Sequence, residues 1–370
     1  GLGDVYKRQE NRGINMRKPC IKKSLYISQD NIGNLIFHLN SKNVCKISIN
    51  IDFIKKLVLL MDGTYTEKEL LEKIRKEGYD ISQKSLEYIL KMFDERNFLD
   101  EYEVFDSCGL SQEELKKYDR QINSFALNGK IRYQDAIKMQ SVIKRKKICV
   151  IGVGGVGSHS LYGFAAMGIG KITAVDFDKI ELSNTSRQML YWESDIGKYK
   201  VDVAKEKMLK INPRVDYEFI NKKISSVEDV VSVAKNSDMI YLCADTPRGK
   251  IIDIVDEAAL LLRVPYYVGS PTNDQILCGP LILPNSDIRY RSLIGNHLIH
   301  EDKDIEKIKE KVMTTIIEPF NAIAANIGVM EVIKYFTNYA DCKVINKSLL
   351  LNLVDMTIEL LNYNNISEGE

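Results

Sequence analysis

Apolar and polar positions alternate first along the chain. SLYISQDN, LIFHLNS and CKISIN each follow a period of two, separated by turn-formers such as Asn34 and the cluster 41–43, so residues 23–50 predict a small strand meander. The period then lengthens. In IDFIKKLVLLMDG the apolar positions recur at three- and four-residue steps and stop at Asp62-Gly63, which predicts a helix and its end. Thr66 and Glu69 form a reciprocal capping box for a second helix over TEKELLEKIRKEG. Ser82 opens a third, SQKSLEYILKMFDERNFL, with Leu86, Ile89, Leu90 and Phe93 on one face. Strands followed by three short helices predict a small α+β, winged-helix-like domain over residues 16–104. Residues 1–15 show no periodicity and are expected to be a disordered or non-native leader, with Met16 as a candidate start. Residues 105–145 are helix-prone with charges of alternating sign, the pattern of a helical linker with a solvated face, and carry the segment Tyr118-Asp119-Arg120-Gln121.

From residue 146 the pattern changes to short apolar runs between helical stretches. Ile148–Ile151 is a β-branched strand that empties into Gly152-Val153-Gly154-Gly155-Val156-Gly157, with helix expected from Ser158 to Gly168. Glycines suit a tight turn that lets the backbone approach a phosphate and lets the helix pack close to the strand. The next strand, ITAVDFD, ends in Asp176 and Asp178, and an acid there can accept hydrogen bonds from ribose hydroxyls. The α/β alternation over residues 146–365 predicts a Rossmann-like, doubly wound, mostly parallel sheet. To this point NAD and ATP fit equally well.

The loop after that strand separates them. Asn184, Arg187 and Gln188, followed by Lys200 at the head of the next helix, have no role toward NAD, whereas a triphosphate needs its charge neutralised while pyrophosphate leaves. No hydride-site histidine or lysine arrangement supports an oxidoreductase.

Composition narrows the setting. With 52 basic and 51 acidic residues the formal charge is +1, which gives no footprint for nucleic acid or a membrane surface. No apolar run is long enough to span a bilayer and no signal core is visible, so a cytoplasmic protein is expected. Seven scattered cysteines without a CxxC pair disfavour disulfides and a structural zinc. Cys149, Cys243 and Cys278 read as buried small residues rather than nucleophiles.

GVGGVG, DFDKIELSNTSRQ, IGKYK, KINPRV and the CAD ending at Asp245 resemble the ThiF, MoeB and ubiquitin-activating adenylating superfamily, over roughly Tyr118 to Asp355. The resemblance implies that Gly152, Gly154, Gly155 and Gly157 form the nucleotide turn, that Asp176 binds the ribose and that Asp178 stands among the residues that bind the cofactor. It further implies that Asn184, Arg187, Gln188 and Lys200 hold phosphates, and that Asp245, at a strand's carboxyl edge, holds Mg²⁺. Arg120 matches a segment whose arginine reaches the phosphates of the other subunit, which implies a homodimer. Lacking paired CxxC motifs and a crossover-loop cysteine, the chain looks most similar to the microcin C type of peptide-adenylating enzyme. Residues 16–104 resemble PqqD-like leader-peptide recognition domains in LLMDGTYTEKELLEKI and FDERNFL. The implied function is ATP-dependent adenylation of a precursor-peptide carboxylate. A sulfur-carrier adenylating enzyme and a non-catalytic peptide-binding scaffold stand as alternatives.

Overall fold

The computed structural model describes residues 18–101, 106–128, 131–271, 275–286, 288–290 and 316–362. The expectation for residues 1–15 therefore lies outside the described residues. The chain divides into two compact units, at Ser141 and Val142.

In the first unit, β1 (Pro19–Ile21) pairs antiparallel with β5 (Leu99–Glu101), and β2 (Tyr26–Gln29), β3 (Leu35–Asn40) and β4 (Asn43–Ile47) form an antiparallel meander. Between them run α1 (Ile51–Leu60), α2 (Glu67–Lys76) and α3 (Gln83–Glu95). The capping box forms as the sequence predicts, Thr66 Oγ1 accepting from the Glu69 N–H while the Glu69 carboxylate accepts from the Thr66 N–H at 2.8 Å. Ser82 likewise caps α3, accepting from the Ser85 N–H. Phe37, Phe93 and Phe98 centre the core, with ring centroids 5.4–6.0 Å apart.

Residues 106–128 and 131–141 pack as part of this unit and carry α4 (Gln112–Lys117), α5 (Asp119–Phe125) and most of α6 (Tyr133–Arg145). Lys22, 1% exposed, ties them in: its ammonium donates to Asn97 Oδ1, Ala126 O and Ile131 O at 2.9, 3.0 and 2.7 Å. Three acceptors match its three donors. Burial lowers its pKa to about 8, which still leaves it protonated at neutral pH.

The second unit is built on an eight-stranded sheet: β6 (Lys147–Ile151), β7 (Lys171–Asp176), β8 (Asp216–Asn221), β9 (Met239–Leu242), β10 (Tyr266–Pro271), β11 (Gln275–Ile282), β12 (Ser348–Asn352) and β13 (Thr357–Leu361). In space they run β13-β12-β11-β10-β9-β6-β7-β8. β8, β7, β6, β9 and β10 are mutually parallel, and β11–β13 extend the sheet antiparallel. Strand order reverses between β6 and β9, which opens the crevice where ligands of such sheets bind. Four helices of this unit, α7 (Gly155–Met167), α8 (Lys200–Ile211), α9 (Val227–Ala234) and α10 (Ile251–Leu262), connect or follow the parallel strands, and α11 (Glu318–Thr337) lies against α7. Residues 155 and 163 of α7 meet residues 321 and 329 of α11, an equal advance of eight on each, so the two helices run parallel and begin at the same edge. Gly328 lets α11 come down on Tyr241 and Tyr267, whose stacked rings lie 4.8 Å apart. No helix among the described residues is long and apolar enough to cross a membrane.

Candidate active site

The glycine turn joins β6 to α7. Gly152 has φ +93°, and a Cβ there would come within 2.7 Å of the Ala244 N atom, so this position needs glycine on both counts. A Cβ on Gly157 would lie 2.1 Å from the Gly152 carbonyl oxygen; its bareness lets the helix close onto the turn rather than touching a ligand. The helix begins at Gly155, three residues earlier than the sequence suggests, because the glycines themselves make its first turn. No side chain caps that turn, so its N–H groups are available to an anion.

Asp176 ends β7, 9% exposed, and its two oxygens accept from the Val153 and Asp178 N–H groups at 2.7 and 2.8 Å. It fixes the glycine turn as well as facing the cavity, and each oxygen keeps a lone pair for a ribose hydroxyl. Tyr191, buried in the following loop, donates its hydroxyl to Val153 O at 2.8 Å and clamps the turn from the other side.

Asn184 and Gln188 are buried in that loop and Arg187 is half-buried. Asn184 Oδ1 accepts from the Glu181 N–H, and Arg187 donates to Ser183 O at 2.6 Å. Gln188 Oε1 has no donor within reach among the described residues. Lys200 is the first residue of α8, where the helix dipole disfavours a cation, and only 7% of its side chain is exposed. Its ammonium meets Asp178 at 2.9 Å. A buried lysine at a helix N-terminus with one solvent-facing partner can exchange that carboxylate for phosphate oxygens.

Asp245 does not end the strand as the apolar run MIYLCAD suggests. β9 stops at Leu242, and Asp245 lies exposed in the loop beyond, accepting from Thr246 Oγ1 at 3.2 Å. Among the described residues no three His, Cys, Asp or Glu side chains gather as a metal cluster. A single open carboxylate fits Mg²⁺, which takes few protein ligands beside phosphate oxygens and water.

The expected residues converge on one cavity of about 480 Å³ at the β6/β9 crevice, lined by Gly152, Gly154, Gly155, Asp176, Asp178, Asn184, Arg187, Gln188, Lys200 and Asp245. Gly157 is not among its lining residues, and Arg120 belongs to the first unit, exposed on α5. The lining also includes Lys222, Arg248 and Asn321, which the sequence reading passes over. Lys222 follows β8, and a cation just past a parallel strand's carboxyl end is a visible signal. Asn321 is a polar residue in the apolar run PFNAIAANIGV, a weaker signal. The thiols behave as expected from burial: Cys149 and Cys278 are wholly buried and pushed up to about 12, and Cys243, at the cavity wall, is also raised by burial. None is a thiolate at neutral pH.

The probable molybdopterin-synthase adenylyltransferase of Porphyra purpurea is 36% identical over 157 residues, covering 42% of this chain and 38% of that protein. The sulfur carrier protein adenylyltransferase of Thermus thermophilus is 31% identical over 160 residues, covering 43% and 55% respectively. The chain thus spans about half the length of these relatives or less. E. coli MccB, solved with ATP, shares the fold at a TM-score of 0.75 and 24% identity over 93% of this chain and 96% of that one. The microcin C7 biosynthetic enzyme MccB in complex with N-formylated MccA gives 0.76 at 23% identity, covering 93% and 96%. Residues 118–368, the glycine turn, the loop after β7 and the whole cavity wall among them, match the ThiF family model, and the chain belongs to that family.

Proposed function

We propose that this chain is an ATP-dependent adenylyltransferase that activates a carboxylate of a ribosomally made precursor peptide, at its C-terminus or a side chain, as an acyl-adenylate. One observation carries the reading. Two cations, Arg187 and Lys200, and two carboxylates, Asp176 and Asp245, share one cavity with the uncapped N-terminus of α7. In the reaction a carboxylate oxygen attacks the α-phosphorus, the bond to the β-phosphate oxygen breaks, and the electron pair leaves on pyrophosphate. The chain supplies placement and charge. Asp176 holds the ribose, the α7 N–H groups take the nearest phosphate, and Arg187 and Lys200 neutralise the charge that grows on the leaving group. Mg²⁺, when bound at Asp245, supplies further charge neutralisation on the phosphates. MccB, described with ATP and with MccA, supports a peptide as substrate.

A second reading, adenylation of a sulfur carrier protein, is favoured by the names of the sequence relatives. Radiolabelled pyrophosphate exchange into ATP separates the two. Exchange that needs a peptide with a free carboxylate supports the first, exchange that needs a carrier protein supports the second, and ATP binding without exchange points to a scaffold.

Within the same proposal the protein is a cytoplasmic homodimer, the first unit recognises the precursor's leader, and Arg120 acts on the nucleotide of the other subunit. Mixing Arg120→Ala with Asp245→Ala protein tests the last point. Mixed dimers hold one intact site and recover exchange that neither variant shows alone.

A further inference from the structure

Most buried polar groups around the cavity are already bonded to protein. Asp176 accepts from two backbone N–H groups, Asn184 from one, and Lys200 holds Asp178. Asn321 differs. It lines the cavity from the fourth residue of α11, is 3% exposed, and among the described residues its Nδ2 has no acceptor. Its neighbours Phe320, Ala324 and Ala325 are buried and apolar, so an apolar side chain would sit here without an orphaned donor.

The amide is laid against the start of α7. A Cβ on Gly155 would fall 2.6 Å from Asn321 Oδ1 and 3.0 Å from Nδ2, so Gly155 is bare where Asn321 needs the room. The parallel course of α7 and α11 brings this donor to the same edge as the uncapped N–H groups of α7. A buried, unsatisfied N–H₂ beside a helix N-terminus is arranged for an anion.

Resting on the adenylating reading above, we propose that Asn321 donates from Nδ2 to a non-bridging oxygen of the nucleotide's α-phosphate. The α-phosphate is favoured because Asp176, at the ribose end, is bonded to Val153 in the turn that leads into Gly155. The first phosphate beyond the ribose therefore meets the start of α7. Asn321 is then a substrate-contacting residue that orients the phosphorus for attack and shares the charge that develops on it.

Calorimetric titration of the full chain with adenosine, AMP and Mg-ATP tests this. Asn321→Asp keeps the shape but replaces the donor with an anionic acceptor. It is expected to weaken AMP and ATP equally, by about 10- to 100-fold, the scale of a hydrogen bond to a charged group, and to leave adenosine unchanged. Unchanged AMP affinity overturns the assignment, as does an equal loss for adenosine or a loss confined to ATP. Should Asn321→Asp fail to fold, Asn321→Ser decides instead. Its shorter hydroxyl is expected to lower AMP and ATP affinity together while sparing adenosine, and undiminished AMP affinity overturns the contact. Wild-type protein that binds neither AMP nor ATP overturns the adenylating reading and this contact with it. Nucleotide binding that the substitutions leave intact removes only Asn321.

Discussion

At the scale of single residues the site depends on two kinds of position, those that must be bare and those that must be charged. Gly157 is of the first kind, with its would-be Cβ 2.1 Å from a backbone oxygen that cannot move aside. Gly157→Ala should cost about 1–3 kcal/mol as an overpacking change. That loss reads as a melting temperature lower by roughly 2–4 °C per kcal/mol in a domain of this size. Lys200 and Asp178 test the second kind. If Lys200 serves the phosphates and Asp178 only holds it between turnovers, Lys200→Met should slow pyrophosphate exchange by about 10² to 10³. Asp178→Asn should then retain most of it; the reverse order of severity would contradict the assignment. The glycines, Asp176, Asn184, Arg187, Gln188 and Lys200 were legible in the sequence because they are local, lying within about fifty residues of one βαβ unit. Asn321, Lys222 and Arg248 reach the same cavity from other elements, and no spacing rule joins them to the turn.

At the scale of elements, periodicity and caps carry most of the information, and their energies can be ranked. Thr66→Ala removes one exposed capping box and should cost about 1 kcal/mol. Lys22→Met takes a donor from Asn97 Oδ1 and leaves the Ala126 and Ile131 carbonyls without the Lys22 ammonium, at roughly 1–3 kcal/mol for each buried acceptor orphaned. Urea midpoints should therefore fall much further for Lys22→Met than for Thr66→Ala. The helices of the first unit and the parallel strands were readable because each buries one regular face. The third helix stops at Glu95, short of the expected Leu99, which instead opens β5, and two boundaries moved at the site: α7 starts at Gly155, not Ser158, and β9 ends at Leu242, three residues before Asp245. There the backbone turns aside to line the cavity instead of continuing the repeating ladder, so apolar pattern misplaces the ends. The antiparallel extension β11–β13 was not anticipated, since its strands carry no signal for which edge of the sheet they join.

At the scale of the whole chain, the linker expected over residues 105–145 contributes to a fold. Lys22 bonds to residues 126 and 131. A fragment of residues 18–141 should therefore unfold cooperatively in urea, whereas one of residues 18–104 should show a broader transition at lower midpoint. If the first unit recognises a leader, the longer fragment is the one to bind it. Two-unit organisation and the doubly wound, mostly parallel sheet could be read from order and punctuation alone. The substrate could not, because a carboxylate entering the cavity leaves no motif as local as a glycine turn. The central claim is that Asp245 and Arg187, brought together at the β6/β9 crevice, make this cavity a site of adenylate formation. The most direct measurement is peptide-dependent pyrophosphate exchange by wild-type, Asp245→Ala and Arg187→Ala proteins of equal melting temperature. The account predicts exchange in the wild type alone, and wild-type rates in either variant would contradict it.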